Sequence, residues 1–390
     1  DYEENLDENL RSLHRRLIGK RYRAQNVKRR HIPKPGSKKL RPLGIPTLED
    51  KIVQRAASRI LESIYEQDFS DRSIGYRKGK PGAREASYQL SRELYPGTYR
   101  WVVEADIRSF FEEVDHDWLV RMLEQRVDDR AFIGLIRKWL KAGVLEPEEE
   151  NPLEPDAGTP QGGVISPVLA NIYLHYVLDR WVEGTVRKNS SGEVLFMRYA
   201  DDIIVCFEHK RDADRYLHNL PGRLAKFTLR LAEEKTGLVK FNRWESDSSG
   251  KFTFLGFDFY WARTRRNREH KMVKRRTNKK KYKAALAKMK EWIKRARNWP
   301  LRMILSSLRL KLRGYWNYYG VKGNSSATWR YYSAIKMLIY KWLNRRSQRK
   351  SYTWGRFKEL FLGSWEIPAP RVVEQGEPIV EQQSLGLARA

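Results

Sequence analysis

The sequence predicts an α+β chain of two or three domains, and three observations carry that reading. With 390 residues, 41% hydrophobic and 12% aromatic, there is more apolar material than one compact core usually holds. Short β-prone runs bounded by turn residues mix with helix-period stripes through about the first 260 residues, and in the back part the apolar positions recur at helical spacing. The charge changes at the same place. Residues 261–360 hold 31 Lys and Arg against Glu269, Glu291 and Glu359, so that +28 of the net +29 falls in about a quarter of the chain.

The elements follow in order. Thr47 with Asp50 three residues on makes an acidic capping box, and Ile52, Val53, Ala56, Ile60 and Ile64 then run at helical spacing into a long packed helix. Trp101–Ala105 is a short apolar strand leading into Asp106. Ser166 as N-cap and Pro167 at the first helical position open a helix over 168–181. Residues 195–207 read as strand, tight turn, strand, with Ala200-Asp201-Asp202 at the tip. In the back part a helix over 278–298 turns Tyr282, Leu286, Met289 and Ile293 inward, and Pro300 begins the next. That helix carries Leu301, Ile304, Leu305, Leu308, Leu312 and Tyr315 as its stripe, and a third carries Ile335, Leu338, Ile339, Trp342 and Leu343. A three-helix bundle, basic outside, is expected, followed beyond Trp365 by a flexible acidic tail.

Composition excludes several classes of function. One cysteine, Cys206, rules out an internal disulfide and a Cys-rich zinc site, and suits a reducing, cytoplasmic compartment. The longest apolar runs, such as residues 203–207, are far too short to span a bilayer, and the charged residues 1–9 do not resemble a secretory signal. The cationic field instead suits a polyphosphate partner. Trp292, Trp299, Trp316, Tyr318, Tyr319, Trp329, Tyr331 and Tyr332 lie among the cations, and rings beside cations suit stacking on RNA.

Two segments end apolar strands in carboxylates, Glu104-Ala105-Asp106-Ile107 and Tyr199-Ala200-Asp201-Asp202. Alone, an Asp-Asp pair at a hairpin is ordinary turn chemistry. Brought together at adjacent strand ends, the carboxylates would hold two Mg²⁺ ions, with Mn²⁺ as a substitute, and support nucleotidyl transfer. Between them lies Gly158-Thr159-Pro160-Gln161-Gly162-Gly163-Val164-Ile165-Ser166-Pro167, in which the glycines permit close backbone approach and Gln161 can hydrogen-bond an incoming base pair or sugar.

Taken in order, these strings resemble the group II intron-encoded reverse transcriptases, or maturases, over almost the whole chain. Ile32-Pro33-Lys34-Pro35 with Arg41-Pro42-Leu43-Gly44-Ile45-Pro46-Thr47 is similar to the family's fingers block, and residues 69–77 to the next block. Asp106, residues 158–167 and residues 199–202 are similar to the palm, and Glu234-Lys235-Thr236 and Phe254-Leu255-Gly256-Phe257 follow in the family's order. The resemblance implies a right-hand polymerase: fingers at 1–92, a ferredoxin-like palm of antiparallel sheet and helices at 93–260, and a basic helical thumb or X domain at 261–365, before the tail at 366–390.

The resemblance also implies roles. Asp106, Asp201 and Asp202 would bind the metal ions with the Ile107 backbone carbonyl, and Lys235 would protonate the leaving pyrophosphate. Phe111 would be the gate against a 2′-hydroxyl, with Phe110 the less favoured candidate. Lys28, Lys34 and Arg41 would grip the triphosphate of a deoxynucleotide beside Ile107 and Gln161. Gly75, Tyr76 and Arg77 would meet the template, and Phe254 to Phe257, with Leu255 and Gly256 at the turn, would hold the primer end. Arg275, Arg276, Lys279, Lys280, Arg313, Tyr318, Arg345 and Arg346 would bind RNA. The partners implied are group II intron RNA, an RNA template with a DNA primer, deoxynucleotides and target DNA. The family's N-terminal block is expected to be mostly missing, as the chain starts about thirty residues before Ile32, and a Cys- and His-containing nuclease segment after Trp365 is expected to be absent. Two other readings remain open from the residues: a domesticated enzyme of CRISPR spacer acquisition or phage defence, and a splicing-only RNA-binding protein.

Overall fold

The computed structural model describes residues 2–33, 40–145, 158, 162–245, 250–263, 270–346 and 351–373. The chain forms two compact units, residues 1–80 with 98–239, and residues 81–97 with 240–390.

α1 (Leu6–Ile18) leads to β1 (Val27–Pro33) and β2 (Leu40–Ile45), an antiparallel pair with Lys28 opposite Ile45. α2 (Leu48–Tyr65) begins where the capping signal places it, the Thr47 hydroxyl accepting from the Asp50 amide at 3.3 Å. Its buried stripe is Val53, Ala57, Leu61 and Tyr65 with Gln54 and Ser58, whereas Ala56 and Ile60 face solvent. The apolar face is thus rotated from the expected one. Tyr65 lies on this buried face: the ring fills the core and its hydroxyl donates to the Met122 carbonyl at 3.0 Å.

α3 (Ala83–Glu93) belongs to the second unit. The first resumes with β3 (Trp101–Ala105), the single turn α4 (Phe110–Glu113), α5 (His116–Leu123), α6 (Arg130–Leu140) and β4 (Val144–Leu145), which joins β1 in parallel. α7 (Ser166–Leu174) carries Pro167 in its first turn, with Ile165 rather than Ser166 at the N-cap position. It runs on through π turns at His175–Asp179 and Val182–Val186 into α8 (Arg187–Asn189), so the expected helix extends to residue 189. After it come β5 (Val194–Tyr199), β6 (Asp202–Phe207), α9 (Lys210–Ala225) and β7 (Gly237–Lys240). The four-stranded sheet has the order β5-β6-β3-β7. All but one residue of β5 and of β6 are buried, as in a sheet covered on both faces.

In the second unit β8 (Phe252–Phe254), β9 (Phe257–Arg263) and β10 (Lys271–Thr277) form an antiparallel sheet ordered β10-β9-β8. Beside α3, its described helices are α10 (Lys279–Ala296), α11 (Leu301–Tyr319), α12 (Ser325–Leu343) and α13 (Trp354–Leu362), the last of which the helical spacing did not signal. Phe357 and Phe361 of α13 join Met289, Ile293, Ile304, Leu308, Leu312, Ile335 and Ile339 in the core. Trp316, Tyr331 and Tyr332 are buried there too, so these rings, expected to stack on RNA, pack the protein instead, while Trp299 and Trp329 stay exposed. The expected tail is ordered at its start. The buried Trp316 indole needs an acceptor and donates to the Pro368 carbonyl at 3.0 Å, and the Val373 amide donates to Gly320 at 2.7 Å. Residues 374–390 lie outside the described residues. Among the described residues no helix is long and apolar enough to cross a membrane.

Candidate active site

Strand register assembles the site. β3 pairs with β6 with Ala105 opposite Ile203, and β5 pairs with β6 with Tyr199 opposite Asp202. Asp106, one residue past Ala105, therefore stands beside Asp202, and Asp201 occupies the two-residue turn between β5 and β6. The other turn residue, Ala200, has φ +57°, a left-handed conformation that costs an L-residue about 1–2 kcal/mol.

Gly75 explains how the turn is held. A Cβ there would lie 2.4 Å from the Ala200 amide nitrogen, so only glycine lets the two backbones touch. Gly75 is buried against the turn, and it is the next residue, Tyr76, that is exposed, with φ +61°. Arg77, expected at the template, is buried instead: its guanidinium donates to Glu66 at 2.8 and 3.0 Å and to the Ser70 carbonyl at 2.6 Å. It anchors the loop that presents Tyr76.

Lys235 ends a 3₁₀ turn, Glu233–Lys235, that is tied to β3 by the Ala232 amide donating to the Asp106 carbonyl at 2.8 Å. Its ammonium donates to the Asp106 carboxylate. That bond, more than any other influence, raises the Lys235 pKa above its ordinary value. Three carboxylates at neighbouring strand ends are the hard oxygen donors that a divalent cation prefers, and their donor set fits one. Among the described residues no three acidic, His or Cys side chains are already gathered round a common centre. Asp106 is paired with Lys235 through one carboxylate oxygen, Oδ2.

Phe110 is buried and packs edge-on against Tyr173, whereas Phe111 is only half-buried. Gly158, with φ +95°, lies over this turn; a Cβ on it would be 3.0 Å from the Phe111 and Glu112 carbonyl oxygens. At the far end of the same glycine-bearing string the Val164 amide donates to the buried Gln54 side chain at 3.0 Å. Lys28 is exposed on β1, and Arg41 lies in β2 opposite Ile32. Gln161 and Lys34 lie outside the described residues.

Residues 32–259 match the reverse transcriptase (RNA-dependent DNA polymerase) family, and residues 282–361 match the maturase-specific domain of group II introns. The chain belongs to the group II intron-encoded reverse transcriptases. It is 30% identical to the group II intron-encoded protein LtrA of Lactococcus lactis subsp. cremoris, over 93% of this chain and 72% of that protein. It is 32% identical to the protein YkfC of Escherichia coli (strain K12), over 66% of this chain and 72% of that one. Among solved structures, apo telomerase from Candida tropicalis is 13% identical with a TM-score of 0.49, covering 83% of this chain and 62% of that chain. The fold is the α+β right-hand polymerase, the enzyme is an RNA-directed DNA polymerase, and the family depends on divalent cations and binds RNA.

The second unit of this reverse transcriptase carries the other expected contacts. Leu255 and Gly256 form the two-residue turn between β8 and β9, both with positive φ, +49° and +77°. Phe254 and Phe257 are buried beneath it, and Tyr318 donates to the Leu255 carbonyl at 2.8 Å. Only Gly256 of the four is partly open to solvent. Tyr318 thus supports the primer-hairpin candidate from below. Arg275 is likewise interior: it donates to Ser87 at 2.7 Å, and burial lowers its pKa to about 10. Arg276 is half-buried over the Tyr260 ring, and Arg346 donates to the Trp299 carbonyl at 2.8 Å. Lys279, Lys280, Arg313 and Arg345 are exposed. The residues the sequence reading passes over are Arg198 of β5 with its partners Asp179 and Asn171, and Gln54, which accepts from Val164; all four are buried polar groups. Their one signal is an Arg inside an otherwise apolar strand.

Proposed function

We propose that this reverse transcriptase copies structured RNA from a DNA primer, binds the RNA of its own group II intron, and assists that intron's splicing and its retrohoming into target DNA. The observation that supports this best is the register that sets Asp106 beside Asp202, with Asp201 in the adjoining turn and Lys235 on Asp106. The reaction is attack of a primer 3′-hydroxyl on the α-phosphorus of a deoxynucleoside triphosphate, with release of pyrophosphate. Two Mg²⁺ ions, for which Asp106, Asp201, Asp202 and the Ile107 carbonyl are the proposed ligands, would stabilise the ionised hydroxyl and the leaving group's charge. Lys235, kept protonated, is the proton donor to the pyrophosphate oxygen. Phe111 crowds the 2′ position, Tyr76 meets the template, and the Leu255-Gly256 turn approaches the primer backbone. Lys28, Lys34, Arg41 and Gln161 hold the nucleotide. Fingers, palm and thumb are read as the segments 1–92, 93–260 and 261–365, and the exposed cations Lys279, Lys280, Arg313 and Arg345 are the proposed RNA contacts.

The test is primer extension on a structured RNA template with Mg²⁺ and deoxynucleotides, beside Asp201→Ala. Extension by the parent and none by the variant, with intron RNA bound alike by both, is the expected result. No extension by either protein would overturn the polymerase reading. RNA binding lost with Asp201 would overturn the division of labour between carboxylates and cationic helices.

A further inference from the structure

Beneath the catalytic turn lies a buried ion pair to which nothing above gives a role. Arg198, in β5, and Asp179, closing the π turn of the long helix, are both fully buried. They meet as two parallel bonds, Nε to Oδ1 at 2.7 Å and Nη2 to Oδ2 at 2.6 Å. Such a pair is a poor device for stability alone, because apolar side chains of similar volume do as well or better.

The remaining donors of the fork show where it acts. Nη1 donates to the Ala200 carbonyl at 2.9 Å and to Asn171 Oδ1 at 3.0 Å, and Nη2 donates to Ser73 Oγ at 2.6 Å. The Arg198 backbone is paired as well, its amide donating to the Arg72 carbonyl and its carbonyl accepting from the Ile74 amide, each at 2.9 Å. Asn171 then closes a ring by donating from Nδ2 to the Gly75 carbonyl at 2.8 Å, and Gly75 is the residue whose backbone touches Ala200. One guanidinium therefore holds the left-handed residue that precedes Asp201, and also the loop that ends in exposed Tyr76.

We propose that Arg198, held in register by Asp179, is a positioning residue for nucleotidyl transfer: it sets the height of the Ala200-Asp201 turn and ties it to the Tyr76 loop. The proposal rests on the polymerase reading. Its effect should appear in metal activation and turnover, because a support one layer behind metal-binding carboxylates governs their aim and not the grip on nucleic acid.

The test uses the paired variant Arg198→Met with Asp179→Leu, which removes both charges without stranding either. Thermal unfolding, kcat, deoxynucleotide KM, template-primer binding and the Mg²⁺ concentration for half-maximal rate are measured beside the parent and Asp201→Ala. We expect a folded protein whose kcat falls by ~10-fold or more and whose half-saturating Mg²⁺ rises by a similar factor. Nucleotide KM and template-primer binding should hold within about twofold. An active parent with a paired variant that keeps parental kcat and Mg²⁺ dependence overturns this proposal alone. A parent showing no extension overturns the polymerase reading and this proposal with it. If the paired variant does not fold, Asn171→Leu, which cuts the tie between Arg198 and Gly75, must shift Mg²⁺ dependence in the same direction; unchanged Mg²⁺ dependence there overturns the proposal equally.

Discussion

Lys235 reaches across 129 residues of sequence to donate a hydrogen bond to Asp106, the first carboxylate of the site. In the proposed mechanism the pairing gives the lysine two separable roles, as proton donor and as a partner held on one oxygen of a carboxylate proposed to bind a cation.

These roles separate in Lys235→Ala. Loss of a general acid should lower kcat by ~100-fold, while the Mg²⁺ needed for half-maximal rate falls or stays constant because Asp106 has lost its competitor. An unchanged kcat with a lower Mg²⁺ requirement would leave Lys235 as a placeholder only. The lysine pKa is raised above 10.5, so the ion pair is fully present below that value and is lost only as pH climbs through the raised one. Rate profiles between about pH 6 and 9 should therefore show no inflection that disappears in the variant.

Phe110 and Phe111 are neighbours with different surroundings, and substitution should part them. Phe111→Val should admit ribonucleotides, read as the ratio of ribo- to deoxynucleotide incorporation, with little loss of melting temperature. Phe110→Ala opens a cavity in the core and should cost about 3–5 kcal/mol in unfolding free energy. Ribonucleotide exclusion that survives in Phe111→Val would move the gate elsewhere.

His175 sits between the Phe69 and Tyr176 rings with Asp179, Arg180, Arg198 and Asp68 around it, and its Nδ1 has no partner among the described residues. Burial lowers its pKa from 6.5. The unfolded chain therefore takes up a proton first on acidification, and the stability present above pH 6.5 is lost as pH falls through the lowered value. Melting temperature followed from neutral to mildly acid pH should drop less steeply in His175→Leu than in the parent. Parallel curves would remove His175 from the acid response.

Arg275 and Lys279 are four residues apart in one cationic stretch but should fail differently. Replacing exposed Lys279 and Lys280 by Ala should weaken RNA binding and reduce the slope of log affinity against log salt by up to about 2. Arg275→Ala should lower the melting temperature of the second unit, because Ser87 loses its buried partner, and leave the salt slope unchanged. A change of slope in Arg275→Ala would put that guanidinium back among the RNA contacts.

Where the sequence speaks through periodicity and turn chemistry, it is legible. The Thr47 cap, the strand-turn-strand around Asp201 and the stripes of α10 to α12 all stand where their patterns put them, because each is decided by a few adjacent residues. Burial of polar and aromatic groups is less legible. Arg77, Arg275, Tyr331 and Trp316 look like contacts for nucleic acid, and only the tertiary fold shows that their donors or rings are already used. Asp106 and Lys235 are both readable as functional residues, but their pairing depends on a long-range strand bridge between Ile107 and Leu231 that no local pattern encodes.

The chain passes between its two units at 80/81, 97/98 and 239/240, since α3 comes from within the sequence of the first. A polypeptide cut out from residue 240 onward would keep β10 and helices α10 to α13 yet lack Ser87 and Tyr88, so the Arg275 guanidinium would lose its side-chain acceptor and one of the two rings it faces. No single cleavage can free the second unit whole. An exchange of helical halves between two relatives would, for the same reason, have to move residues 81–97 along with the C-terminal part, so the two stretches are bound to be inherited together.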